Sequence, residues 1–162
     1  MSQRTKYIQF SVVAALVVLC DQISKALVLA KMPLFHSITI IPGFFSLTHV
    51  HNPGGAFGFL AQNGSPLRHW IFLGAAILAL GLILYFYYQT PKTHTYLGHG
   101  LSLIFGGAIG NVIDRLRFGE VVDFLDFYVA NLHWPTFNVA DSAVTVGVGI
   151  FLVHIVFRKM PF

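Results

Sequence analysis

The chain has 162 residues, of which 56% are hydrophobic and only 10% charged; soluble domains carry about 25% charged residues, so a water-soluble globule is excluded and a single membrane domain spanning residues 1–162 is expected. The mean hydropathy of +0.71 agrees. A net charge of +4 arises from basic residues scattered between apolar stretches, which points to membrane headgroups and away from nucleic acid, while one cysteine, Cys20, excludes an intrachain disulfide framework.

In chain order, the first apolar segment runs from about Tyr7 to Leu29, interrupted near its end by Asp21, Gln22, Ser24 and Lys25. Arg4 and Lys6 ahead of it, and Cys20 near its middle, imitate a cleavable lipoprotein signal. That box needs a small residue before the cysteine, and Leu19 stands there. With further hydrophobic segments downstream, a first membrane span is expected. Between His36 and about residue 60 the pattern changes: Ser37–Ile41 and Phe44–Val50 read as short strands about the turn Pro42-Gly43. Asn52-Pro53-Gly54-Gly55-Ala56-Phe57 then forms a glycine-permitted loop.

Trp70–Tyr88 is a clean second span, since ~20 apolar residues cross a bilayer; Tyr85, Tyr87 and Tyr88 suggest an aromatic belt at one interface. The third runs from about Leu97 to Phe118, with Gly119 as a C-cap and Arg115 and Arg117 suited to the negative end of the helix dipole. A segment from Phe124 to Pro135, bearing Phe127, Tyr128 and Trp134, is expected to lie along the interface. The fourth span covers about Asn138 to Phe157. Gly106, Gly107 and Gly110, with Gly147 and Gly149, offer small faces for close helix packing. An even number of spans puts both tails on one side. The basic residues divide five and five between the two sides, but both tails carry close-spaced basic pairs, which favours the cytoplasm for the tails.

All six acids then fall at the outer end of the bundle. An ionisable group near hydrocarbon costs ~2.5–3.5 kcal/mol on insertion scales and is a functional candidate by default. Asn138 and Asp141 are three apart and share a helical face; Asn111 and Arg115, four apart, share another. Asp123 follows Gly119 just beyond the third span. If the third and fourth spans are neighbours, Asp123 and Asp141 meet among amide and guanidinium donors. Two meeting carboxylates share a proton and activate water. On periodicity alone they equally suit a proton relay or an ion site, in a small proton-coupled transporter; a scaffold built on the glycine faces leaves them unexplained. Asp21 and Lys25 have the spacing of an intrahelical ion pair and read as structural support. Asp114 beside Arg115 reads as a structural or solvated pair, and Glu120 and Asp126 as solvated interface charges. His49 and His51 alternate on a strand, a weak metal signal with no HExxH beside it; no metal, nucleotide or other cofactor is expected.

Five blocks carry a resemblance: Asp21-Gln22-Ile23-Ser24-Lys25, Asn52-Pro53-Gly54-Gly55-Ala56-Phe57, Gly110-Asn111-Val112-Ile113-Asp114-Arg115, Val121-Val122-Asp123-Phe124 and Phe137-Asn138-Val139-Ala140-Asp141-Ser142. In this order they resemble the signature blocks of bacterial prolipoprotein signal peptidase (signal peptidase II). The resemblance implies an all-α membrane protein with four transmembrane helices, a small extracytoplasmic β-rich subdomain and an interfacial segment between the third and fourth spans. It also implies an aspartic endopeptidase of the bacterial inner membrane; a monomer is expected, with both termini cytoplasmic and the active site on the periplasmic side. Its substrates would be prolipoproteins cut before a cysteine already carrying diacylglycerol, met among membrane lipids. Asp123 and Asp141 match the catalytic pair. Asn52 and Gly54 match loop positions near the substrate, Asn111, Arg115 and Asn138 match polar residues lining the site, and Asp21 and Lys25 match a supporting pair.

Overall fold

The structure, a computed structural model, describes residues 2–54 and 66–158. The elements are α1 (Gln3–Lys31), β1 (Ser37–Ile41), β2 (Phe45–Asn52), α2 (Pro66–Gln89), α3 (Thr95–Phe118), β3 (Val121–Val129), β4 (Leu132–His133) and α4 (Val139–Arg158). All four helices are long and apolar enough to cross a membrane. Gly55, Ala56 and Phe57 of the expected loop, and the end of the expected β segment, lie outside the described residues.

The helices are inside out by the standards of a soluble bundle. On α1, Ile8, Val12, Leu16, Leu19, Ile23 and Leu27 form an exposed apolar stripe, whereas the buried face carries Lys6, Asp21 and Lys25 among Phe10, Ala14 and Val28. Apolar surface turned outward and charge turned inward is the arrangement hydrocarbon selects. α3 is central and packs on α1, α2 and α4. Its glycines permit this. A Cβ at Gly106 would lie 2.8 Å from the Ala14 carbonyl oxygen, and one at Gly107 would run into the Ala140 carbonyl oxygen. Gly147 answers from α4, where a Cβ would lie 2.6 Å from the Gly100 carbonyl oxygen. Gly149 departs from the expected packing role, because it faces open space.

At the end of the bundle where α1 begins, Phe10, Ile83, Tyr87, Leu97 and Leu101 form one core cluster. Tyr87 is therefore not part of an interfacial belt: it is buried, its ring 4.2 Å from that of Phe10, and its hydroxyl donates to the Lys6 carbonyl at 2.6 Å. Lys6 returns the contact. Its buried ammonium donates to the carbonyls of Tyr87 (2.8 Å) and Thr90 (2.6 Å), capping the negative end of α2 instead of facing headgroups.

At the opposite end of the bundle a four-stranded antiparallel sheet in the order β1-β2-β3-β4 sits over the helices. Val122 and Phe124 of β3 pack on Val28 of α1 and on Met32 just beyond it. The segment expected along the interface is thus largely strand. Gly119, at φ 77 in the left-handed region, ends α3 and turns the chain at once into β3, whose residues pair with β2 from Phe45↔Phe127 to Asn52↔Val121. Local pattern does not reveal this, because β2, the longer of its two partners, lies more than sixty residues away.

Gly107→Ala is expected to destabilise the protein by roughly 1–3 kcal/mol through overpacking, while Gly149→Ala has room and leaves stability unchanged or slightly raised. Thermal unfolding in detergent checks this; equal midpoints for the two variants would refute the packing account.

Candidate active site

Asp123 projects from β3 and Asp141 from the first turn of α4. Asn138, immediately before α4, joins them. Its side-chain amide donates to Asp123 Oδ1 at 2.7 Å, and its backbone N–H donates to Asp141 Oδ2 at 3.2 Å. In return, Asn138 Oδ1 accepts the backbone N–H of Asp141 at 2.9 Å. This reciprocal pair is a capping box, with aspartate in the place usually held by glutamate. The cap of α4 and the spacing between the two carboxylates are set by the same residue.

Each remaining carboxylate oxygen has a donor. Asn52 Nδ2 donates to Asp123 Oδ2 at 3.0 Å, and Asn111 Nδ2 donates to Asp141 Oδ1 at 2.8 Å. The Gly54 backbone N–H donates to Asn52 Oδ1 at 3.0 Å, which fixes the Asn52 amide with its nitrogen toward Asp123. Burial raises the Asp123 carboxyl to about 7, the charge of Asp141 adds to that, and the two asparagine hydrogen bonds only partly oppose it.

Behind the carboxylates lies a buried polar layer. Lys25 donates to Asp21 (2.8 Å), Asp114 (2.7 Å) and Asn111 Oδ1 (3.0 Å). Asp21 in turn accepts the Ala140 backbone N–H of α4 at 2.9 Å, and Asp114 accepts the Val122 backbone N–H of β3 at 3.1 Å. Asp114 therefore pairs with Lys25 and not with the adjacent Arg115, because Asp114 faces the bundle interior at 1% exposure. Asp126 is likewise not solvated: it is buried and bonded to Thr48 and His133. Glu120 lies 3.4 Å from His51.

The two carboxylates open onto a cleft of about 490 Å³, walled by Asn52, Gly54, Asn111, Arg115, the segment Trp134–Phe137 and one face of α4 from Ser142 to Val146. Arg115 interacts electrostatically with Asp141, Asp123 and Asp114, and its guanidinium lies 5.8 Å from the Phe72 ring. Every expected site residue is thus at the cleft or in the layer beneath it. Two contributors escape sequence reasoning. Gln22 donates to Asp21, Gly110 and Asp114, and the Trp134–Phe137 wall is placed by the sheet. The signal for Gln22 was its place between Asp21 and Lys25 in an apolar span. Among the described residues no group of three or more histidine, cysteine or acidic side chains could hold a metal ion. His49 instead meets the Met32 carbonyl at 2.9 Å.

The family model described as signal peptidase (SPase) II matches residues 13–157. The lipoprotein signal peptidase of Desulforapulum autotrophicum is 49% identical, over 95% of this chain and 95% of that protein. That of Symbiobacterium thermophilum is 50% identical, over 90% of this chain and 92% of that protein. A bacterial membrane enzyme solved by the in meso method at 2.3 Å resolution superposes with a TM-score of 0.82 at 32% identity, covering 95% of this chain and 93% of that one. With matches that span nearly its whole length, and with all five motif blocks falling inside the matched region, the chain belongs to the signal peptidase II family.

Proposed function

We propose that this protein is a membrane aspartic endopeptidase that removes the signal peptide from diacylglyceryl-modified bacterial prolipoproteins, cutting just before the lipidated cysteine. The observation that carries this reading is one asparagine donating to two carboxylates at the side of an open cleft. Asp123 and Asp141 are the catalytic pair, sharing one proton between them. Asp141 takes a proton from water as its oxygen attacks the scissile carbonyl carbon, and protonated Asp123 donates to the carbonyl oxygen. Collapse of the tetrahedral intermediate breaks the C–N bond, and the cysteine amine leaves with a proton returned by the pair. Asn111 and Asn138 hold the carboxylates, Asn52 and Gly54 guide the substrate backbone, and Arg115 supplies a positive wall.

The rest of the chain suits such a substrate. A signal peptide is an apolar helix and diacylglycerol is hydrocarbon, so both arrive within the bilayer; a cleft with Val144 and Val146 on its helical side admits them laterally. The whole chain acts as one integral domain of the inner membrane, as a monomer among its lipids. Lys6, Lys25 and Arg115 are engaged inside the protein. Of the other basic residues, the sequence puts Arg4, Lys92, Arg158 and Lys159 beside the tail ends of the spans and Lys31, Arg68 and Arg117 beside the opposite ends, which favours cytoplasmic tails and a periplasmic active site.

Asp123→Asn and Asp141→Asn are each expected to abolish release of the signal peptide from a diacylated precursor in detergent, with the protein still folded. Retained turnover by either variant would refute the pair. The pH profile carries a defined sign. Asp123 acts as an acid and loses its proton as pH rises through about 7, so kcat/KM should fall on the alkaline side, approaching about tenfold per pH unit; a flat profile between pH 7 and 9 would oppose this assignment. Lipid supplies ~0.8 kcal/mol per buried CH₂, so precursor lacking diacylglycerol should be cut far more slowly at low concentration. Equal rates for the two precursors would remove lipid recognition from the account.

A further inference from the structure

A second buried carboxylate occupies the sheet, outside the catalytic pair. Asp126 is 6% exposed. It sits where three strands meet: Thr48 of β2 donates to its Oδ2 at 3.0 Å, and His133 of β4 donates from Nδ1 to its Oδ1 at 2.8 Å. The His133 ring also stacks on Tyr128, with centroids 4.7 Å apart and planes at 16°. A buried carboxylate is costly unless its oxygens are satisfied, and here both are used to hold strands together.

What they hold is short. β4 has two residues and two register pairs, Tyr128↔His133 and Val129↔Leu132, and follows a turn in which Ala130 has a left-handed φ of 53. Two ladder pairs beside a strained turn are a weak anchor. Yet the next residues, Trp134 to Phe137, form one wall of the cleft. That wall is tied at its near end by the Trp134 backbone N–H to the Phe127 carbonyl at 2.8 Å. At its far end, Phe137 exchanges backbone bonds with Leu125 at 2.8 and 3.1 Å and leads directly into Asn138. The far tie guards the catalytic pair. The near tie depends on β4, and β4 on its contact with Asp126.

We infer that Asp126 and His133 form a clamp that positions the Trp134 side of the cleft and so sets substrate affinity, without taking part in bond cleavage. They are positioning residues, and the inference rests on the cleft being the prolipoprotein site. Because Phe137 is bonded independently, releasing the clamp loosens the wall and leaves the carboxylates in place. The effect belongs in KM and not in kcat.

The test is steady-state cleavage of a diacylated precursor in detergent by wild type, Asp126→Ala, His133→Ala, His133→Phe and His133→Asn, with thermal unfolding of each to establish the folded fraction. His133→Phe keeps a ring over Tyr128 but no donor; His133→Asn keeps an N–H near the position of Nδ1 but no ring. Expected are KM values raised about tenfold for the Ala and Phe variants, as loss of a ~1.4 kcal/mol contact gives, with kcat nearly unchanged and His133→Asn close to wild type. Asp126→Ala combined with His133→Ala should be no worse than Asp126→Ala alone, since Asp126→Ala already removes the contact with His133. Unchanged KM in the Ala variants, restoration by Phe instead of Asn, or a loss confined to kcat would each overturn the clamp while leaving the protease reading intact. A wild-type protein that leaves the precursor uncut would overturn the functional reading, and the clamp with it.

Discussion

Asn138 makes the two halves of the site inseparable. A helix start needs partners for its orphan N–H groups, and α4 obtains them through exchange between Asn138 and Asp141. The same side chain reaches across to Asp123 on β3 at 2.7 Å. The helix can be capped in this way only if Asp141 turns back toward Asn138, and that turn brings it beside the strand carboxylate. Local helix chemistry thus brings a pair of like charges together, which open solution would separate.

A pair so placed needs a countercharge that does not quench it, and the layer beneath meets that need. Lys25 spends its donors on Asp21, Asp114 and Asn111 and makes no direct bond to either Asp123 or Asp141 among the described residues. Removing one partner from a buried ion cluster costs roughly 3–5 kcal/mol, because a charge is stranded. The cluster therefore fixes α1, α3, the start of α4 and the start of β3 relative to one another: Asp21 holds the Ala140 N–H and Asp114 holds the Val122 N–H. Lys25 also leaves Asn111 with its nitrogen facing Asp141. Stability and amide orientation come from one ammonium group.

The four spans were legible because composition and length are local properties: the expected first span, Tyr7–Leu29, lies inside α1, and β1 matches Ser37–Ile41. The carboxylates stood out because an acid in an apolar sequence is costly wherever it lies. Less legible were pairings decided at a distance. In sequence Asp114 belongs with its neighbour Arg115, yet successive residues on a helix point to different faces, and only Asp114 faces Lys25. Asp126 read as solvated because nothing local announces that β2 covers it. Tyr87 looked interfacial beside Tyr85 and Tyr88 until the helix's rotation put it against Phe10. Periodicity gives the faces of a helix, but the identity of the neighbour on each face depends on the assembled bundle.

The i,i+4 spacing of Asp21 and Lys25 has a consequence for how the chain is made. α1 is synthesised first, long before Asp114 and Asn111 exist to receive its lysine. A lone lysine entering the bilayer would carry its full penalty through that interval, whereas an acid one turn away lets the helix enter as a nearly neutral dipole. The nascent α1 is then lipid-compatible on its own and becomes a polar docking face when α3 emerges. The pair that anchors the finished bundle is also what allows its first helix to wait for the others.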